Sequence, residues 1–101
     1  MITRLVKLTL QPDRASQFEA IFYKTQSLIE NAAGCQKTSL FKVAGEESQY
    51  FTISYWNSEK SLDDYRASDL FKNVWSTVKP LFSAKAEAWT LNGTVPAQDL
   101  F

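Results

Sequence analysis

Apolar and polar residues alternate in four stretches of the chain, and this period of two predicts four β-strands. The predicted strands cover residues 2–10, 35–43, 49–56 and 84–91. In the first of them Val6, Leu8 and Leu10 share one face. A glycine-containing loop over residues 44–48 indicates that the second and third strands form a hairpin.

Apolar residues recur at intervals of three and four in other stretches, which predicts amphipathic helices. The predicted helices cover residues 13–31, 59–66 and 69–81. Asn57 or Ser58 suits the N-cap of the second helix and Ser68 suits that of the third, because their side-chain oxygens can accept a hydrogen bond from a free backbone N–H. Pro80 falls near the predicted end of the third helix.

The order of these elements is that of a ferredoxin-like β-α-β-β-α-β fold. Such an α+β fold places its helices on one face of a four-stranded antiparallel sheet. A chain of 101 residues fits one domain. We assign residues 1–91 to that domain and residues 92–101 to a C-terminal tail.

The face of the sheet away from the helices is predicted to be too apolar for water. It would carry Leu5, Leu40, Tyr50, Trp56, Trp89 and Leu91, or their neighbours of opposite parity. Burial of apolar surface contributes roughly 25 cal/mol per Å², so we expect a homodimer in which two sheets pack together. The alternative is a monomer with a dense aromatic core.

The balanced charge of the chain bears on which kinds of partner it could bind. Lys and Arg total 11, Asp and Glu total 11, and no basic stripe is present, which argues against nucleic acid or an anionic membrane as partner. No apolar stretch approaches the roughly 20 residues that span a bilayer. One cysteine, Cys35, excludes an intramolecular disulfide, and no secretory signal is evident, so we expect a cytoplasmic domain.

The chain contains no histidine. It therefore lacks the commonest general base, the commonest metal ligand and the usual haem ligand. No metal-ligand spacing, glycine-rich phosphate loop or nucleophilic triad is present either. We predict no metal and no cofactor.

The pattern Tyr55-Trp56-x-Ser58-x-x-x-Leu62-x-x-Tyr65-x-x-Ser68-x-x-Phe71 resembles that of the antibiotic biosynthesis monooxygenase (ABM) family. The resemblance extends over residues 2–91. It implies a dimeric α+β barrel with a pocket between each sheet and its helices. The family includes cofactor-independent oxygenases of polycyclic phenols and quinols, haem-degrading oxygenases, autoinducer-processing enzymes and members without known activity.

The chain departs from the haem-degrading branch at all three of that branch's characteristic positions. An Asn in the first strand, a Trp in the short helix and a haem-ligating His in the third helix correspond to Val6, Tyr65 and Trp75 here. Many other members also have His in place of Tyr65. The resemblance therefore excludes haem degradation.

The pocket of the polyketide-oxidising branch resembles a set of Asn, Trp, Tyr and Arg. Trp56 matches its Trp, whereas its Asn and Tyr correspond to Thr52 and Leu62. Tyr65 is a candidate to replace the missing phenol.

Trp56 and Tyr65 are the candidate catalytic residues. Trp56 could pack against a planar substrate or donate its N–H to a substrate oxygen, or it could be a core residue that seals the strand–helix junction. The Tyr65 hydroxyl could hydrogen-bond a phenol or an oxyanion, but a reference pKa of ~10 makes it a poor base. A half-buried tyrosine with its hydroxyl in water is the alternative.

Five further residues are candidates for substrate binding. Arg66 could orient an anionic oxygen, although an arginine at such a position is commonly solvated. The others could line the space between helices and sheet, with core packing as the alternative: Tyr23, Thr52, Phe71 and Trp75.

Three functions remain open at this point. The first is a cofactor-independent monooxygenase that binds a small quinol- or anthrone-like aromatic molecule together with O₂. The second is a non-catalytic, dimeric module that binds a small ligand or regulates a partner. The third is a structural dimer in which aromatic rings fill the space between helices and sheet.

Overall fold

The computed structural model describes residues 1–93, and these form one antiparallel sheet with helices on one side. The strands are β1 (Ile2–Thr9), β2 (Cys35–Lys42), β3 (Gln49–Trp56) and β4 (Glu87–Asn92). Their spatial order is β2-β3-β1-β4, so β1 and β3 form the centre of the sheet. Most of the predicted tail lies outside the described residues, and its boundary stays a prediction.

The helices are α1 (Ala15–Glu30), α2 (Glu59–Arg66) and α3 (Asp69–Val78). Two consecutive helices, α2 and α3, thus fill the second helical position of the ferredoxin-like fold. This confirms the predicted α+β class. Within residues 1–93 no helix is both long enough and apolar enough to cross a bilayer.

Serine side chains begin both short helices, as the sequence predicts. Ser58 accepts a hydrogen bond from the backbone N–H of Ser61 at 3.1 Å, and Ser68 accepts one from that of Phe71 at 3.2 Å. Each serine satisfies a backbone donor that would otherwise have no partner inside the helix. The junction between α2 and α3 is therefore a tight turn.

Proline residues explain why two helices are shorter than predicted. Pro12–Arg14 forms a 3₁₀ turn, and α1 begins only at Ala15. Pro80 has no N–H for a helical hydrogen bond, and Lys79–Leu81 tightens into a second 3₁₀ turn after α3.

The first and fourth strands also differ from the prediction at their ends. β1 stops at Thr9, and Leu10 makes an isolated bridge to Phe82. The Ser83 backbone N–H donates to the Thr9 carbonyl at 2.9 Å. The chain is therefore tied back to the end of β1 before β4 begins at Glu87.

The core lies between the sheet and the helices in two clusters. The larger cluster includes Leu8, Phe18 and Val78, and the smaller one consists of Ile2, Trp56 and Leu62. Residues near Leu8 and residues near Ile2 therefore pack at opposite ends of β1.

The outer face of the sheet, the one away from the helices, carries exposed apolar side chains. Three of the residues that we predicted for this face lie on the helix side instead. Leu40, Tyr50 and Trp56 pack on the helix side, where Tyr50 is 1% exposed and donates its hydroxyl proton to Glu19. Trp89 and Leu91 do lie on the outer face and are 42% and 45% exposed. The predicted set combined residues from both faces of the strands, and the strand register places these residues on opposite sides of the sheet.

Candidate functional site

A cavity of about 380 Å³ lies between the helix-facing side of the sheet and the helices. Ligand pockets are typically about 300 to 1,000 Å³. All four strands and all three helices contribute to its wall, for example through Arg4, Thr38, Thr52, Ala88, Ile21, Tyr65 and Trp75. The space is open, so the hypothesis of a structural dimer packed shut by aromatic rings is wrong for this fold.

Short side chains in the middle of the sheet leave room for the cavity. One cross-strand row pairs Thr52 with Val6 and Val6 with Ala88. These side chains are small, whereas Trp56 and Leu8 are bulky residues at the two ends of the cavity floor. The floor is therefore hollow between two well-packed ends.

Trp56 forms a fully buried wall of the cavity. Its ring stacks on Tyr65 with 4.9 Å between ring centroids and 28° between ring planes. Its indole N–H donates to the Ser54 hydroxyl oxygen at 2.9 Å. That N–H therefore already has an acceptor within the protein, and its donation to a substrate oxygen stays a prediction. Trp56 supports the ring of Tyr65.

Tyr65 presents a neutral phenol to the cavity. Burial raises the pKa of its hydroxyl to about 12, with a smaller contribution from nearby Cys35. At neutral pH the group is therefore a hydrogen-bond donor and not a base. Within residues 1–93 its hydroxyl has no protein hydrogen-bond partner.

Aromatic rings continue from Tyr65 along one side of the cavity. Tyr65 meets Phe71 edge to face with 5.4 Å between centroids, and Phe71 stacks on Trp75 at 6.0 Å and 7°. Phe71 and Trp75 are one helical turn apart on α3, which places them on the same face. The result is an apolar, aromatic wall in which the Tyr65 ring stands nearly perpendicular to the Phe71 ring.

Two arginines line the cavity near Tyr65. Arg66 is the last residue of α2, as the sequence prediction required, and Arg4 projects from β1. Arg4 donates to the Thr90 hydroxyl oxygen at 2.8 Å. Burial lowers the pKa of Arg4, and the charge of Arg66 lowers it further, whereas Asp63 opposes that shift.

Sequence reasoning missed Arg4 and Ser54, although a signal for each was present. Arg4 has the same parity as Val6 and Leu8, so its side chain had to lie on the same face of β1 as those two apolar residues. Ser54 has the parity of Thr52 and pairs with Arg4 across the strands. A charged residue on the apolar face of a strand was the clue to a polar site.

Tyr23 is the one predicted site residue that lies outside the cavity. It is 62% exposed and contacts Phe22 edge to face. The face of α1 toward the cavity carries Ile21, Phe22 and Thr25, which turns Tyr23 to solvent. The predicted position of Tyr23 is therefore wrong, whereas Thr52, Trp56, Tyr65, Arg66, Phe71 and Trp75 all line the cavity.

The polar groups of the cavity are hydroxyls and guanidinium groups. Among the described residues, 1–93, none that lines the cavity is acidic. Within residues 1–93 no group of three or more Cys, Asp or Glu side chains could hold a metal ion. The described wall therefore offers hydrogen-bond donors and positive charge in a largely apolar space.

A profile of the antibiotic biosynthesis monooxygenase family matches residues 1–75, and the chain belongs to that family. This confirms the resemblance drawn from the pattern around Trp56 and Tyr65. A search among curated proteins finds no match.

Solved structures share the fold at low sequence identity. Rv0793 from Mycobacterium tuberculosis superposes with a TM-score of 0.85 at 19% identity, covering 95% of this chain and 97% of that one. A variant of SnoaB, a cofactor-independent oxygenase from Streptomyces nogalater, gives 0.83 at 16% identity, covering 95% of each chain. PA3566 from Pseudomonas aeruginosa gives 0.81 at 16% identity, covering 93% and 94%. These likenesses show the fold alone.

Proposed function

We propose that the protein is a cofactor-independent monooxygenase that oxidises a small quinol- or anthrone-like molecule in this cavity. The observation that carries the proposal is the Tyr65 hydroxyl, a neutral donor without a protein partner in the described residues, on a residue that adjoins the aromatic rings of Phe71 and Trp75. Family membership and the fold shared with SnoaB support it.

The reaction needs no added reductant if the substrate supplies the electrons. Loss of a proton from an anthrone gives an electron-rich carbanion, which transfers electrons to O₂. The CH₂ group becomes a carbonyl that retains one oxygen atom, and the second atom leaves as water. All four electrons that reduce O₂ come from the substrate carbon.

The cavity residues would favour the ionised form of the substrate. Tyr65 donates a hydrogen bond to the oxygen on which negative charge develops, and Trp56 fixes the Tyr65 ring. Phe71 and Trp75 hold the planar rings and exclude water. The lining residues within 1–93 include no imidazole or carboxylate, and in this scheme the proton passes to solvent.

Oxygen consumption with an anthrone tests the role of Tyr65. We expect Tyr65→Phe to lower kcat/KM about 100-fold, the usual effect of removing one oxyanion donor. Tyr23→Phe is the matched control, because it removes a phenol outside the cavity, and it should leave the rate unchanged. Equal rates for the wild type and Tyr65→Phe would contradict the assignment.

A non-catalytic module that binds a small ligand is the second candidate. Among residues 1–93 the cavity wall has no acidic side chain, and this lack of a base in the described part of the wall favours the second candidate. This alternative predicts that quinols bind, that Tyr65→Phe changes only their affinity, and that no oxygen is consumed.

We further propose that the protein is a homodimer joined through the outer face of the sheet. Leu5 pairs with Ile53 on one side and with Trp89 on the other, which forms an apolar row across three strands. Phe41 and Tyr55, on the same face, are 52% and 37% exposed. Contiguous apolar surface of this kind marks an interaction site.

A further inference from the structure

The positive charge of the cavity is concentrated at one end. The chain has three arginines, Arg4, Arg14 and Arg66, and two of them line the cavity. The part of the cavity wall that residues 1–93 form contains no acidic residue to balance them, although the chain as a whole has a formal net charge of zero.

The two guanidinium groups retain hydrogen-bonding capacity. Arg4 uses one N–H to reach Thr90 at 2.8 Å, and a guanidinium has five. Within residues 1–93 no carboxylate lies within 4.0 Å of either arginine, and both ion pairs of that region involve lysine. Arg66 and Arg4 are close enough for their charges to repel, while Asp63 partly offsets the repulsion. An anion between them would relieve it.

The other end of the cavity is apolar. Arg4 lies near the cluster that contains Trp56, whereas Leu8 belongs to the cluster that contains Phe18 and Val78. Leu8 lies four positions after Arg4 on β1, a backbone distance of roughly 13 Å at the usual rise. The cavity therefore has a cationic end and an apolar end.

We propose that the cavity selects a planar aromatic carboxylate, with the carboxylate held by Arg4 and Arg66 and the rings along Phe71 and Trp75. The planar fork of arginine matches the two oxygens of a carboxylate. A carboxylate is also fully ionised at neutral pH, so its binding needs no protein base. The inference deepens the proposed function by naming the class of molecule that the same site accepts.

Two probes of nearly equal shape test the proposal by calorimetry. We expect 2-naphthoate to bind at least tenfold more tightly than neutral 2-naphthamide. Arg4→Gln and Arg66→Gln should each weaken naphthoate binding about tenfold, the usual scale for a charge-assisted hydrogen bond, and should leave naphthamide within twofold. Arg14→Gln is the matched control, because Arg14 lies outside the cavity wall, and it should change neither affinity.

Several results would overturn the proposal. These are equal affinities for the two probes, no naphthoate binding at millimolar concentration, and an equal loss for both probes in the arginine variants. If circular dichroism shows that Arg4→Gln does not fold, Arg66→Gln and Arg66→Lys decide the question, because Arg66 is an exposed helix-end residue.

The two proposals fail separately. Naphthoate and naphthamide are probes of binding and are not oxidised, so their affinities do not depend on oxygen chemistry. Selective naphthoate binding without oxygen uptake on any anthrone would uphold the carboxylate site and defeat the monooxygenase. Oxygen uptake together with equal affinities for naphthoate and naphthamide would uphold the monooxygenase and defeat the carboxylate site.

Discussion

At the scale of single residues, Tyr65 and Trp56 act as a pair. Trp56 donates its N–H to Ser54, and its ring stacks on that of Tyr65. The Tyr65 hydroxyl has no protein hydrogen-bond partner within residues 1–93. Burial keeps that hydroxyl protonated, so under the proposed function it would act as a fixed hydrogen-bond donor and not in proton transfer. This division explains how a chain without histidine could stabilise an anionic substrate.

Gly34 offers a test of close packing near this site. A Cβ added there would overlap the Ser61 side chain on α2, and its φ of +84° strains any L-residue. We expect Gly34→Ala to lower the free energy of unfolding by about 2 to 4 kcal/mol, combining backbone strain with overpacking. Denaturation by urea measures the loss.

Gly45 provides the matched control for that substitution. Its φ is +83°, but a Cβ there would meet no atom within 4 Å. Gly45→Ala should therefore cost only the strain, about 1 kcal/mol. Equal losses for the two variants would show that α2 moves away from Gly34 without cost.

At the scale of elements, sequence patterns gave the strands and helices but not how they face each other. Alternation placed Thr52 and Trp56 on the same side of β3, and caps fixed the starts of α2 and α3. Parity alone could not tell which side of each strand faces the helices, because register depends on the partner strand. Leu40 and Leu5 were therefore assigned to one face although they lie on opposite ones.

The cavity itself could be inferred only from the family resemblance. A cavity arises from the combined sizes of side chains on several elements. The periodicity of apolar residues within one strand or helix does not reveal these combined sizes. Tyr23 illustrates the limit for helices, since it directly follows the wall residue Phe22 but points about 100° away from it, toward solvent.

The turn between α2 and α3 controls where Tyr65 and Phe71 lie. Ser68 accepts from the Phe71 N–H at 3.2 Å and donates to the Tyr65 carbonyl at 2.5 Å. Ser68→Ala should lower the free energy of unfolding by about 1 kcal/mol and should also weaken ligand binding.

Ser76 is the matched control within the same helix. Its hydroxyl donates to the Asn73 carbonyl inside α3 and caps nothing. Because alanine is the better helix former, Ser76→Ala should leave stability equal or slightly higher. A loss in Ser76→Ala as large as that in Ser68→Ala would rule out a specific capping role.

At the scale of the whole molecule, the sheet has two apolar faces but only one layer of helices. Of the seven large apolar side chains that are most exposed within residues 1–93, Phe41, Tyr55, Trp89 and Leu91 lie on the uncovered face. A second copy of the chain offers an identical face that can cover them, and stable interfaces bury roughly 1,200 to 2,000 Å² in total.

Sedimentation equilibrium tests this association. The wild type should have the mass of two chains at micromolar concentration, and Trp89→Lys should raise the dimer dissociation constant about 100-fold by burying a charge. Leu28→Lys replaces another exposed apolar residue, 54% exposed on α1, and should leave the dimer intact. A monomeric wild type, or equal effects of the two variants, would contradict the interface.

We propose that the cavity directs oxygen insertion into an aromatic substrate without a cofactor. A reaction of purified protein with an anthrone under ¹⁸O₂, followed by mass spectrometry of the product, tests this proposal. We expect one ¹⁸O atom in each quinone, formed by the wild type much faster than by Tyr65→Phe. Unlabelled product, or labelled product at the rate of the protein-free reaction, would contradict it.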